Sequence, residues 1–130
     1  SGAAQTFLDA WSTLTSAMKE FNEQNYLSMQ TVQDLTGLED KYTSLLKKND
    51  VTGKLEIQTS KFQNLMEAEL KEAKIKGDNA TASQYNKILE WTDRNIQKQT
   101  MSYWDLVAAI EGYSAALEEA KGITDTFKDA

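Results

Sequence analysis

Phe7, Trp11, Leu14, Met18 and Phe21 recur at alternating spacings of four and three residues. That period puts all five on one stripe of a helix predicted over residues 3–25. After Tyr26 and Leu27 a second helical stretch is expected. Ser28 is its N-cap, Val32 and Leu35 form one apolar step, Gly37 bends it, and it resumes through Leu38, Tyr42, Leu45 and Leu46. Lys48 to Gly53 is a cluster of turn formers, and Lys54-Leu55-Glu56-Ile57 behind it alternates like a very short extended piece. Helix is expected again from Thr59 or Ser60, where Ser60 with Gln63 fits a capping box. It carries Phe62, Leu65, Met66 and Ala73 until Gly77-Asp78-Asn79 stops it. The pattern thus predicts a helical hairpin around the Asn49–Ile57 loop.

The last apolar stripe is the longest. From Thr81, with Gln84 as a second capping box, it runs through Tyr85, Leu89, Ile96, Tyr103, Leu106, Ile110, Tyr113 and Leu117 at heptad-like spacing. Unbroken to Lys121 this helix would measure about 60 Å, twice the diameter of a small domain. The polar run Gln97–Thr100, followed by the capping-box-like pair Ser102 and Asp105, predicts a kink there. The expected fold class is therefore all-α: an antiparallel helical bundle with a helical hairpin and a long, kinked C-terminal helix. That helix packs the first helix along its distal half and the 28–76 hairpin along its proximal half. Extended structure is limited to a short bridge near Leu55–Ile57.

Trp91 and Trp104 fall off the stripe of this last helix and, with Ile88 and Val107, widen its apolar surface beyond one seam. Two readings follow. The helix is buried between two neighbours, or Ile88, Trp91, Trp104 and Val107 form a face for protein partners or self-association.

Composition narrows the chemistry. A chain of 130 residues is the size of one domain and can hold a core without covalent staples. It has no cysteine and no histidine, which removes thiolate sites, disulfides, the commonest general base and the commonest metal ligand. Proline is absent as well, where average usage would predict roughly six. Ser1 and Gly2 resemble the remnant of a tag, so the expectation is a single domain excised from a longer protein. No uncharged apolar window approaches the ~18 residues of a membrane span, which predicts a soluble domain with no membrane association. Net charge is −6, and both ends are acidic: residues 105–130 carry two lysines against six acids. Such ends repel phosphate, so nucleic acid is not an expected partner.

Candidate catalytic and metal patterns reduce to ordinary surface features. Ser16-Ala17-Met18-Lys19 and Ser44-Leu45-Leu46-Lys47 match the Ser-x-x-Lys spacing of penicillin-recognising enzymes but lack the companion motifs. Glu67, Glu69 and Glu72 alternate with Lys71, Lys74 and Lys76, a pattern expected of helix-surface ion pairs, and a di-iron carboxylate site would need histidines. Asn49-Asp50-Val51-Thr52-Gly53 matches only the opening of a calcium loop and reads as a turn, while Asn79-Ala80-Thr81 is a formal glycosylation sequon. The expectation is a non-enzymatic protein with no cofactor and no metal.

Between Asn25 and Ala73 the order of parts resembles a segment of tail tape measure proteins, the length-setting proteins of phages and prophages of Gram-positive bacteria. The residues carrying the likeness are Ser28-Met29-Gln30-Thr31-Val32-Gln33-Asp34-Leu35, then Asp40-Lys41-Tyr42 and Leu45-Leu46. The Asn49–Gly53 turn, Lys54-Leu55-Glu56-Ile57 and the helix end Glu69-Leu70-Lys71-Glu72-Ala73 complete it. Where the family commonly has Asn-Gly-x-Leu, this chain has the longer Asn-Asp-Val-Thr-Gly-Lys-Leu. The resemblance implies a structural or assembly role, located in a virion tail or in the bacterial cytoplasm during assembly. The alternative reading is a secreted bacterial helical-hairpin protein or its secretion chaperone, acting by protein–protein contact. The Trp-x-Gly turn of that hairpin type is missing here.

Overall fold

Every helix needs its first backbone N–H groups satisfied, and the local sequence decides where that happens. In a computed structural model, which describes residues 6–111, the first helix, α1 (Phe7–Gln24), starts where Thr6 can cap it. Thr6 Oγ1 accepts from Asp9 N–H, and the Asp9 carboxylate accepts from Thr6 N–H in return. There follow α2 (Met29–Thr36), α3 (Asp40–Thr43), β1 (Leu46–Lys48), β2 (Leu55–Gln58), α4 (Thr59–Ile75), α5 (Asn79–Asn95), β3 (Thr100–Met101) and α6 (Tyr103–Glu111).

The protein is predominantly helical, but it is not all-α. The three short strands pair antiparallel in the order β1-β2-β3. Ile57 lies opposite both Leu46 and Met101, and Lys48 opposite Leu55. Two of these strands lie where local pattern gives little warning: β1 continues what reads as helix, and β3 sits in a polar run. Pairing with β2 creates them, a tertiary effect that overrides local preference. The expected helical hairpin around Asn49–Ile57 is therefore a β-hairpin. Asn49 Oδ1 accepts from the N–H groups of Val51 and Thr52, which makes its turn.

The true helical hairpin is α4–α5, reversed at Gly77 (φ 74°). Ser60 does not cap α4, which runs directly out of β2 with no side-chain cap. Asp78 rather than Thr81 caps α5, accepting from Thr81 N–H. The long C-terminal helix of the sequence reading is likewise two helices. After Asn95 the chain extends through β3, and α6 begins with its own reciprocal cap: Ser102 N–H to Asp105 at 2.9 Å and Asp105 N–H to Ser102 Oγ at 3.1 Å. The expected helical residues 3–5 and 112–121 lie outside the described residues.

One cluster of buried side chains draws on Phe7, Leu14 and Met18 of α1, Tyr42 of α3, Ile57 of β2, Phe62 and Met66 of α4, Tyr85 and Ile88 of α5, Met101 of β3 and Leu106 of α6. Phe7 meets Phe62 edge-on, with ring centroids 5.4 Å apart. The sheet contributes its Ile57–Met101 pair to this core. Polar bonds cross between its strands as well: Glu56 Oε1 accepts from Asn49 Nδ2 at 2.9 Å and from Thr100 Oγ1 at 3.1 Å.

Beyond Met101 the register would place residue 103 beside Leu55, but Tyr103 already belongs to α6. The side chain of Asn22 fills the missing place. Its Oδ1 accepts from Leu55 N–H at 2.8 Å and its Nδ2 donates to Leu55 C=O at 3.4 Å, so an amide from α1 finishes the ladder.

Candidate interaction surface

Helix α5 packs against both α4 and α6, so its apolar arc must be wide. Tyr85, Ile88, Leu89 and Thr92, spaced at i, i+3, i+4 and i+7, are all buried on it. Ile88 is thus packed into the core, as the reading of a helix buried between two neighbours requires of it. Trp91 is half-buried against the core, and its indole N–H is buried with no hydrogen-bond partner among the described residues. Together with Ile88, Ala109 and Ile110, Trp91 lines a groove of about 780 Å³ between α5 and α6. Gln84, Lys87, Glu90, Arg94, Asn95 and Glu111 complete its described lining.

Trp104 stands outside that lining, near the start of α6. It is 59% exposed and stacks edge-on against Tyr103, with centroids 4.9 Å apart. Val107, one turn further on, is half-buried. Of the four residues expected to share one face, the structure brings Ile88 and Trp91 to the groove and leaves Trp104 the most exposed of the four. A second apolar surface escaped the sequence reading: Tyr26, Met29 (78% exposed) and Val32 on and before α2. Its signal is the spacing of three from Tyr26 to Met29 to Val32.

Glu69 is the other residue that sequence patterning misplaced. In place of a surface ion pair, it is 5% exposed, accepting from the Tyr42 hydroxyl at 3.0 Å and facing Lys41 Nζ at 3.4 Å. Phe62, Met66, Glu69 and Ala73 share one side of α4, so an acid on an apolar stripe was the available signal. Burial, and then the charge of Glu69, push the Tyr42 phenol well above its ordinary value. Burial works to lower the Lys41 ammonium, but the Glu69 and Glu39 carboxylates outweigh it and raise it. By contrast Glu72 does form the expected surface pair, with Lys76 at 2.8 Å.

A carboxylate, a phenol and an ammonium held this way stabilise one another and present no activated nucleophile. Ser16 and Lys19 are exposed on α1, and Ser44 Oγ donates to the Lys41 carbonyl while Lys47 lies on β1. Among the described residues no three acids converge as they would to hold a metal ion. No described helix is long and apolar enough to cross a membrane. No protein-family model matches the chain, and neither a curated protein nor a solved structure matches it.

Proposed function

We propose that this chain is a non-catalytic structural or assembly domain that works through contacts of its helix faces with other proteins or with copies of itself, as a segment of a phage tail tape measure protein would. The observation that carries the reading is Trp104: an indole more than half exposed, braced by Tyr103, on a helix whose opposite side is buried in the core. Large aromatics held rigidly at a surface are the usual anchors of protein contacts. Support also comes from the Trp91 groove and from the exposed Tyr26, Met29 and Val32.

The alternative of a secreted hairpin protein is less well supported, because the α4–α5 reversal reads Lys76-Gly77-Asp78 and carries no tryptophan. The test is sedimentation of wild type and Trp104→Ala over a wide concentration range, beside thermal melts. Weaker association by the variant, with its melt unchanged within the ~0.5 kcal/mol typical of surface substitutions, is the expected result. A wild type that stays monomeric at the highest concentration, or a Trp104→Ala whose only effect is lost stability, would remove Trp104 as the contact. Tail genes on either side of the coding sequence are expected if the tape measure reading is right.

A further inference from the structure

The joint between α1 and α2 is made of residues that helices accept. α1 stops at Asn25, whose φ of 63° is the one positive value at a non-glycine residue among the described residues. Asn25-Tyr26-Leu27-Ser28 contains neither glycine nor proline. The four-three spacing of Phe7, Trp11, Leu14, Met18 and Phe21 also continues in phase across the joint, through Asn25 and Ser28 to Val32 and Leu35. One helix from Phe7 to Thr36 would be about 45 Å long and would carry one continuous stripe.

What holds the joint closed is polar. The Glu20 carboxylate accepts from the Ser28 backbone N–H, from Ser28 Oγ at 3.2 Å and from Thr31 Oγ1 at 2.9 Å. α2 itself buries only Thr31, with Leu35 half-buried, and leaves Val32 exposed although it lies on the stripe. α1 is different: Phe7, Ala10, Leu14, Ala17 and Met18 are fully buried, so it cannot leave without opening the core. One thing fits the bed it would leave, and that is another α1.

We propose that α1 exchanges between two copies of this chain: the Asn25–Ser28 joint straightens, α1 and α2 merge into one helix, and each copy's α1 fills the core of the other. The exchange keeps every buried contact of α1 and alters only the joint. In the straight form Ser28 N–H donates to the Gln24 carbonyl in the ordinary helical pattern, so release of Glu20 leaves no backbone donor unpaired and frees only the Ser28 and Thr31 hydroxyls. The inference stands on the joint alone and not on the tail-protein reading.

Refolding from denaturant at high concentration, followed by size separation with light scattering, tests it. Wild type is expected to yield a minor dimer fraction. That fraction rises several-fold in Asn25→Leu combined with Glu20→Ala, and vanishes in Asn25→Gly, where the reversed conformation is favoured. The dimer should keep the monomer's helical signal and, once isolated, convert to monomer only slowly on dilution, because exchange requires α1 to leave the core. In dimers formed from a doubly labelled chain diluted into excess unlabelled chain, spin labels at Ser16→Cys and Gln33→Cys, in a chain with no native cysteine, should lie about 26 Å apart along a straight helix, and closer in the monomer. A dimer that dissociates as soon as it is diluted, or one whose label distance equals the monomer's, overturns the proposal. If the double variant does not fold, wild type decides: exclusively monomeric wild type after concentrated refolding overturns it equally.

Discussion

Two helix pairs in this protein reverse direction at a left-handed residue, and they are held by different forces. At the α4–α5 reversal stands Gly77, and the two helices together bury Phe62, Met66, Ala73, Ala82, Tyr85, Ile88 and Leu89. At the α1–α2 reversal stands Asn25, and α2 contributes no fully buried apolar side chain at all. Its attachment to α1 runs through the Glu20 clasp on Ser28 and Thr31. The first pair is fixed by area removed from water, a force of about 25 cal/mol per Å² that is indifferent to pH. The second depends on a few hydrogen bonds, each of modest net worth in competition with water, whose shared acceptor can be titrated.

The sharpest way to break this comparison is to truncate one apolar residue in each pair. Phe62→Ala removes a fully buried ring that packs on Phe7, and should cost ~3–5 kcal/mol of stability in denaturant unfolding. Val32→Ala on α2 should stay within about 0.5 kcal/mol. Equal losses would mean that α2 is held by burial after all.

Next in size is the buried carboxylate of the apolar pair. Glu69→Ala removes the carboxylate on which the Tyr42 hydroxyl rests and should cost roughly 1–3 kcal/mol, while Glu69→Gln, which keeps an acceptor, should cost less. The same contact contributes to the loss of stability in alkali, beside Tyr85, Lys41 and Lys76, which are raised as well. The phenol of Tyr42 ionises above its ordinary value of 10.0 in the folded protein, so the unfolded chain gives up that proton first. Stability is therefore complete below pH 10 and declines as pH rises beyond it. Tyr42→Phe should flatten that decline; a melt whose alkaline slope is unchanged in Tyr42→Phe would place its cause elsewhere.

Asn22 offers a smaller effect. Asn22→Ala leaves both the N–H and the C=O of Leu55 without their partner at the half-finished edge of β2, and should cost about 1–2 kcal/mol, part of it recovered by water. Faster amide exchange at Leu55 than at Ile57, which β3 still pairs, is the local signature to look for.

Much of the helical scaffold was legible because it is written in local periodicity. The α1 stripe, the Ser28 cap, the Asn49–Gly53 turn and the Gly77 stop all depend on neighbours a few residues away. The sheet was not legible for the opposite reason. β1 and β3 exist because Leu46 and Met101 both find Ile57, and those pairings span 11 and 44 residues of chain. Splitting the last stripe into α5 and α6 follows from the same pairing, since Thr100–Met101 must extend to reach β2. At the candidate surface, off-stripe position set Trp104 apart from the core stripe, and its side chain is exposed. It left Ile88 open between core and partner face, because width of apolar arc alone does not say whether the second neighbour is internal.

The least destabilising change should fall on the Glu20 clasp, yet it is the most specific test of what holds α2. Hydrogen bonding, led by the Ser28 backbone N–H and followed by the Thr31 hydroxyl, lowers the Glu20 carboxyl below its ordinary value of 4.5. The unfolded chain therefore takes up this proton at a higher pH than the folded one. Its contribution is complete above about pH 4.5 and is lost as pH falls through the lower folded value. Glu72 and Asp78 are lowered in the same direction, by Lys76 and by the Thr81 cap respectively, so the acid slope of wild type alone is ambiguous. The difference between wild type and Glu20→Gln isolates the clasp. That difference in melting temperature should be small and steady from neutral pH down to about 5, then shrink toward zero as Glu20 itself becomes protonated. Amide exchange should localise it: Ser28 and Thr31 should open faster in the variant at neutral pH, while the amides of α4 and α5 keep their protection. A gap that persists undiminished below the lowered value, or faster exchange spread evenly over the protein, would show that α2 is not held to α1 by this carboxylate.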